Sequence, residues 1–257
     1  MCPPEPATWP AGSVSRQALD VDIVQRALPA ITDQYDAFCS WVAEACRPDT
    51  WMLDIGAGDG DDVYAARLRP HVLRLVGVDP DPGIAANPYL DERHRLTLEQ
   101  YAANDPPPFD VAVAVYVAEH VGEPDRFLRD AHDCLRAGGN LFLLTPNLWH
   151  YFGLLARLSG ALHAEDMLLR WARADKPELH HVDHFPVRYR LNSVKALCQH
   201  AEAAGFSRLE ICHLDNPGVF ETYFPDRLRK LPHGYSRAAY RLHCDSLLGT
   251  LLVKLVA

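Results

Sequence analysis

Residues 52–62 read MLDIGAGDGDD. An apolar lead, broken once by Asp54, runs into glycines at 56, 58 and 60, with further acids at 59, 61 and 62. A glycine turn after a strand lets a ligand approach the backbone closely, and in many nucleotide-binding proteins that ligand is phosphate. Carboxylates repel phosphate, so this turn asks for another ligand. The dinucleotide spacing GxGxxG would need glycine at 61, where Asp61 stands. No Lys followed by Ser or Thr completes a phosphate-binding P-loop.

Outward from this turn the chain alternates between strand and helix patterns. Short apolar runs at 50–56, 73–80, 95–100, 109–116, 140–147, 207–214 and 248–257 predict strands. Segments 61–70, 123–139 and 192–205 carry helical spacing, the second with a glycine pair read as a helix stop. Upstream, Ile23, Ala27, Leu28, Ile31, Tyr35, Phe38, Val42 and Ala45 recur at three and four, which predicts helix over 20–45, kinked or split at Pro29. The expected fold is α/β: a doubly wound, mostly parallel seven-stranded sheet of Rossmann-like type, with an N-terminal helical extension and a helical lid insertion. The expected organisation is a mobile tail at 1–18 and one domain at 19–257. That domain would hold N-terminal helices at 19–48, a lid insertion at 148–190 and a second insertion at 215–245.

Composition bounds the function. The 257 residues are 48% hydrophobic and 23% charged, which suits a globular chain. The formal charge is -9, against a nucleic-acid partner, which wants a basic face. No apolar run reaches the length of a membrane span, so stable membrane insertion is not expected. The N-terminal segment lacks a basic region followed by an apolar core, and the expected location is cytoplasmic. Seven cysteines without a CxxC pair read as scattered, reduced thiols.

The acids at the turn favour a ligand that is cationic and carries no phosphate. S-adenosylmethionine, with its sulfonium and α-ammonium, meets that description. An acid at the end of the second strand, Asp79 in VGVDP, would hold ribose hydroxyls.

LDIGAGDG, VGVDP, FDVAVAVYVAEHV and LRAGGNLFLLTPN, in that order, resemble the motifs of class I S-adenosylmethionine-dependent methyltransferases. The resemblance covers about residues 50–147. The set EHV…GG…TPN is most similar to the branch of ubiquinone-biosynthesis O-methyltransferases and small-molecule methyltransferases. It implies that Gly56, Ala57 and Gly58 line the methionine end, and that Asp54 orients the ammonium. It also implies that Asp79 takes the ribose and that Pro80 lies near the adenine. Glu99, Gln100 and Tyr101 are the candidates for the adenine amine. The loop from Tyr116 to His120 would face the methyl group and the acceptor.

The other candidates are ligand-type side chains outside the cofactor motifs. His120, His181 and His184 could act as a general base, since imidazole titrates near neutrality; for His120 a structural or cofactor-proximal role in the turn is the favoured reading. His180, His181, Asp183 and His184 have metal-ligand chemistry, but Pro177 and Pro186 bracket them as a loop, and acceptor contact is favoured over metal. Tyr35, Tyr151, His180 and Tyr189 are candidates for substrate contact. Residues 149–174 are amphipathic and fit a lid or core packing better than a homodimer face or a membrane surface. In 215–245, Arg227 or Arg229 could hold an anionic acceptor, with a solvated face favoured.

The expected activity is methyl transfer to a small-molecule acceptor, O-methylation favoured over N-, C- or S-methylation, releasing S-adenosylhomocysteine. A cofactor-binding module without transfer activity and an NAD-type oxidoreductase are the competing readings.

Overall fold

The computed structural model describes residues 22–28, 33–61, 63–154, 186–221, 224 and 226–257. One eight-stranded sheet organises them. Its strands are β1 (Asp22–Ala27), β2 (Trp51–Ile55), β3 (Arg74–Val78), β4 (Glu92–His94), β5 (Phe109–Val115), β6 (Leu135–Pro146), β7 (Arg208–Leu214) and β8 (Thr250–Val256). The spatial order is β1-β7-β8-β6-β5-β2-β3-β4. β8 pairs antiparallel with β6 and with β7. The other pairings are parallel.

The helices are α1 (Gln34–Ala45), α2 (Val63–Leu68), α3 (Leu98–Ala102), α4 (Pro124–Asp133), α5 (Val194–Ala204), α6 (Pro217–Glu221) and α7 (Leu231–Arg241). β5 explains how they sort. Ala112 and Ala114 face a core built with Leu98 of α3, Phe127 and Leu128 of α4 and Leu197 and Ala201 of α5. Val111, Val113 and Val115 face a second core with Phe38 and Val42 of α1 and Tyr64 and Leu68 of α2. A central parallel strand buries both faces, so its run is continuously apolar. The doubly wound α/β expectation therefore holds.

Four boundaries differ from the sequence reading. The segment read as the start of a helix is strand β1, which adds an eighth strand by pairing with β7 from Asp22↔Arg208 to Ala27↔His213. Its β-branched Ile23 and Val24 suit an extended edge, and ladder hydrogen bonds outweigh a helical apolar spacing that Pro29 would interrupt. Among the described residues of that stretch the helical part is α1, started by Asp33, whose carboxylate accepts from the N–H groups of Tyr35 and Asp36. The third strand lies at Glu92–His94, and most of 95–100 belongs to the start of α3. Thr97 and Gln100 form a reciprocal capping box there, which fixes a helix start rather than a strand. The Gly138–Gly139 pair does not stop a helix either. α4 ends at Asp133 and the chain enters β6 at Leu135, with an irregular register against β5 between Phe109 and Val111. Gly138, at φ +77°, takes the left-handed backbone within β6.

Cys39, Cys46, Cys134, Cys198 and Cys212 are free thiols. Cys244 is disulfide-bonded and departs from the expectation of reduced thiols throughout. The tail at 1–18, most of the lid and the cluster His180–His184 lie outside the described residues.

Beyond β6 the chain builds an aromatic group. The His150 ring lies 4.0 Å from Tyr151, 4.5 Å from Phe220 and 5.2 Å from Tyr235. Its Nε2 sits 3.8 Å from Asp215 Oδ1, both side chains almost fully buried. Burial lowers the His150 pKa from 6.5 to about 3 and raises that of Asp215 from 3.8 to about 6. Below pH 6.5 the unfolded imidazole binds a proton that the folded one refuses. The stability due to the neutral ring is thus complete above pH 6.5 and falls as pH drops toward 3. Asp215 works in the opposite sense between about 6 and 3.8, because its folded carboxyl takes the proton first. Relative to His150→Phe, the wild type should lose about 2 kcal/mol between pH 7 and pH 5. Chemical denaturation of both proteins at the two pH values checks this; a pH-independent difference would mean a ring that charges freely in the fold.

Candidate active site

The strand order reverses beside β2: β3 and β4 lie on one side, β5 and β6 on the other. At the carboxyl ends of these strands lies a cleft of about 650 Å³. Open α/β sheets bind ligands at this point because the loops diverge there.

The glycine turn forms one wall. Gly56 has φ +74° and Gly58 φ +54°, backbone that side chains resist. Gly56 N–H donates to Val78 O at 2.8 Å, tying the turn to β3. A Cβ on Gly56 would run into the Val117 side chain from the opposite wall. The third glycine position of a dinucleotide site is therefore not the deciding one here; the close approach is at the first.

The acids around the cleft accept from its own backbone N–H groups, among them those of Gly58 and Asp61 in the glycine turn. Asp79 Oδ2 accepts from Gly58 N–H at 2.9 Å, and its Oδ1 accepts from Asp81 N–H at 2.7 Å. Asp59 Oδ1 accepts from Asp61 N–H at 3.1 Å, and Asp81 Oδ1 from Gly83 N–H at 2.7 Å. Asp54 is buried beneath the turn, where the Tyr64 hydroxyl donates to its carboxylate at 3.1 Å. Asp59, Asp79, Asp81 and Glu99 line the cleft, and the described lining contains no Lys or Arg. Each Asp79 oxygen keeps a further lone pair for an outside donor.

The sequence-derived candidates separate accordingly. Gly56, Gly58, Asp79, Pro80, Tyr116 and His120 line the cleft together. Ala57 is buried behind the turn, its carbonyl accepting from Asn87 Nδ2 at 2.8 Å. Gln100 is spent on the capping box, with Oε1 accepting from Thr97 N–H at 3.0 Å. Tyr101 faces the core, 4.9 Å from the His94 ring. Of the three candidates for the adenine side, Glu99 is the one in the cleft wall.

Tyr35 stacks edge-on against Tyr116 at 6.3 Å, one layer behind the lining. Tyr151 belongs to the aromatic group under Phe220 and Tyr235. Tyr189 lies against the loop after β5, its N–H donating to Glu119 O at 3.0 Å. His180, His181 and His184 lie outside the described residues, as does Asp62.

The loop after β5 is tightly specified. Tyr116 holds φ +54°, a left-handed conformation costing a non-glycine residue roughly 1–2 kcal/mol. Its hydroxyl accepts from Gln34 Nε2 at 2.7 Å. Glu119 is buried, with Oε2 accepting from Thr145 Oγ1 at 3.1 Å, and Asn192 Nδ2 donates to that same Oγ1 at 2.7 Å. Glu119 thus holds the end of β5 to the end of β6. His120 turns toward the cleft with Nδ1 3.4 Å from Pro186 O, and Arg190 donates to Gly122 O at 2.7 Å. The segment 186–190 therefore braces this loop from outside.

Asn87, Gln34, Thr145 and Asn192 escaped the sequence reading. Asn87 is fully buried and clamps the glycine turn from below, yet it stands between Ala86 and Pro88 with only a turn-like context. Gln34 hides inside a helical pattern.

S-adenosylmethionine fits this lining. Gly56 leaves the wall open to a close backbone contact, Asp79 presents free lone pairs to hydroxyls, and the four carboxylates suit a cationic ligand while opposing pyrophosphate.

Comparison with known proteins agrees. A family model described as a methyltransferase domain matches residues 28–211. A ubiquinone biosynthesis O-methyltransferase of Caulobacter vibrioides is 38% identical over 126 residues, 47% of this chain and 48% of that protein. The chain spans about half the length of the curated relatives it matches. The crystal structure of a SAM-dependent methyltransferase from Archaeoglobus fulgidus aligns with a TM-score of 0.55 at 11% identity, over 87% of this chain and 92% of that one. Phosphoethanolamine N-methyltransferase 2 of Haemonchus contortus, solved in complex with S-adenosyl-L-methionine, aligns with a TM-score of 0.52 at 12% identity, over 87% of this chain and 52% of that one. With a family model covering most of its length and the acidic glycine cleft at the reversal of its sheet, the chain belongs to the methyltransferase-domain family, in the class I S-adenosylmethionine-dependent group.

Proposed function

We propose that this chain methylates a hydroxyl of a small-molecule acceptor, with S-adenosylmethionine as methyl donor. The observation that carries the donor is the cleft wall: Asp59, Asp79, Asp81 and Glu99 without a Lys or Arg among the described lining. When bound, the donor supplies a methyl group already activated on a sulfonium.

What remains for the chain is alignment, exclusion of water and, for an oxygen acceptor, removal of a proton. Gly56 and Gly58 would hold the methionine end by backbone approach, Asp79 the ribose and Glu99 the adenine side. Tyr116 and Val117 would shape the wall between donor and acceptor. His120 lines the cleft and would take the hydroxyl proton on its imidazole as the oxygen becomes nucleophilic. The preference for oxygen rests on this histidine and on the similarity to ubiquinone biosynthesis O-methyltransferases.

Calorimetric titration with S-adenosylhomocysteine beside NAD tests the donor. Micromolar affinity for the first and none for the second is expected; NAD binding would overturn the reading. A panel of phenols, carboxylic acids and amines then tests the acceptor. With a phenol, His120→Gln should lower kcat about 100-fold with little change in KM, within the usual range for a lost general base. Binding without turnover on any acceptor would reduce the chain to a cofactor-binding module. Full activity of His120→Gln would remove the histidine from the chemistry.

A further inference from the structure

We propose that the outer face of α7 docks this protein onto an anionic lipid surface. The helix Leu231–Arg241 buries Pro232, Ser236 and Ala239, which fixes the direction of its other faces. On the solvent side two rows run parallel. Leu231, Gly234, Ala238 and Leu242, spaced by three and four, form an apolar stripe. Lys230, Arg237 and Arg241, each one residue earlier than a member of that stripe, form a basic row beside it. Arg227 and Leu228 extend both rows from the preceding turn. Leu228, Leu231 and Leu242 are 42%, 55% and 65% exposed, too much for residues that complete a core.

Charge selects the occupant. The whole chain carries -9, yet residues 226–243 hold five Lys or Arg against the single acid Asp226. Asp226 is already paired with Arg229 at 2.8 Å, and the neighbouring Glu221 with His233. Among the described residues, Arg227, Lys230, Arg237 and Arg241 have no ion pair. A chain of this net charge has no bulk attraction to an anionic surface, so binding there has to come through a local basic face such as this one. Basic residues flanking an exposed apolar stripe are the pattern of a helix lying in a lipid headgroup layer. A second copy of the chain fits worse, because a twofold contact would set the basic row against itself. A nucleic acid fits worse too, because the leucines would lie where phosphates need donors.

The position has a use. α7 lies between the carboxyl end of β7 and the start of β8. Asn147, just after β6, is bonded to the same region through Ser246 O and Leu248 O at 2.8 and 2.7 Å. The helix therefore lies at the same carboxyl end of the sheet as the cleft, and docking would bring that end toward the lipid. Docking is independent of which acceptor the cleft takes.

Co-sedimentation of the full chain with phosphatidylcholine vesicles, with and without about one third phosphatidylglycerol, tests this. The wild type should bind the phosphatidylglycerol vesicles, ignore pure phosphatidylcholine and come off in roughly 0.5 M salt. Lys230→Gln/Arg237→Gln/Arg241→Gln should bind about 100-fold more weakly, near fivefold per cation. Leu231→Ser/Leu242→Ser should lose about tenfold or more with every cation still present, which bulk charge attraction alone would not produce. Both variants change exposed side chains outside the cleft and should keep S-adenosylhomocysteine affinity, which verifies the fold. The assignment is overturned if the vesicles do not bind, or if the variants bind like the wild type. It is equally overturned if a duplex oligonucleotide is retained in their place, or if the leucines prove to hold a dimer in sedimentation velocity.

Discussion

Gly56→Ala is expected to weaken S-adenosylhomocysteine binding about 100-fold while the sheet still folds. Two costs combine at one atom. Alanine at φ +74° is strained by roughly 1–2 kcal/mol, so the free turn should relax out of this backbone and the ligand would have to restore it. The new Cβ also collides with Val117, which must give way into the cleft that the ligand needs. Displacing a packed side chain costs about 1–3 kcal/mol more. At 1.4 kcal/mol for each factor of ten, the two together reach about two orders of magnitude. The double variant Gly56→Ala/Val117→Ala separates them. Removing the Val117 methyl groups should restore about tenfold of the affinity, leaving the backbone cost in place. Calorimetry on the three proteins decides it. Wild-type affinity in a folded Gly56→Ala protein would mean that the ligand does not approach this turn.

Asp79→Ala should cost about 2–3 kcal/mol of binding, near 100-fold in affinity. The carboxylate has a double task. It holds the turn, through Gly58 and Asp81 N–H, and it presents its remaining lone pairs to the cleft. The variant should therefore also lose about 1–3 kcal/mol of stability, since charge-assisted bonds to two backbone donors disappear. Asp79→Asn keeps an acceptor oxygen but replaces the other by a donor that opposes an N–H group. It should retain more stability than alanine and still bind weakly. Thermal unfolding and calorimetry, run together, distinguish a ligand contact from a scaffold. Equal affinity in wild type and Asp79→Asn would leave Asp79 with a structural task only.

The acidic glycine turn was legible because its physics is local. A strand that ends in glycines at 56, 58 and 60 must turn in left-handed backbone, and acids beside it must either repel or select a ligand. Asp79 was legible for the same reason, as an acid at a strand end one crossover away. The Thr97–Gln100 box was written in the chain too, as a helix start that an apolar strand reading passed over. The helix stop expected at Gly138–Gly139 was an ambiguous signal: glycine permits left-handed backbone at a helix end and in a strand alike, and local sequence does not tell them apart.

By itself, then, the sequence determined a doubly wound α/β sheet, the cleft at its reversal and the chemical sign of the ligand. Periodicity and glycine conformation are properties of neighbouring residues, and charge needs no partner to be read. The tertiary structure alone decided which residues meet across long separations. Gln34 reaches Tyr116, Val117 stands over Gly56, Asn87 clamps Ala57 and Glu119 joins Thr145 and Asn192. The eighth strand is of this kind, since an edge segment becomes a strand only when β7 offers its unpaired N–H and C=O groups. So is the direction of the leucines on α7: their spacing is in the sequence, but which face turns outward depends on what Pro232, Ser236 and Ala239 pack against.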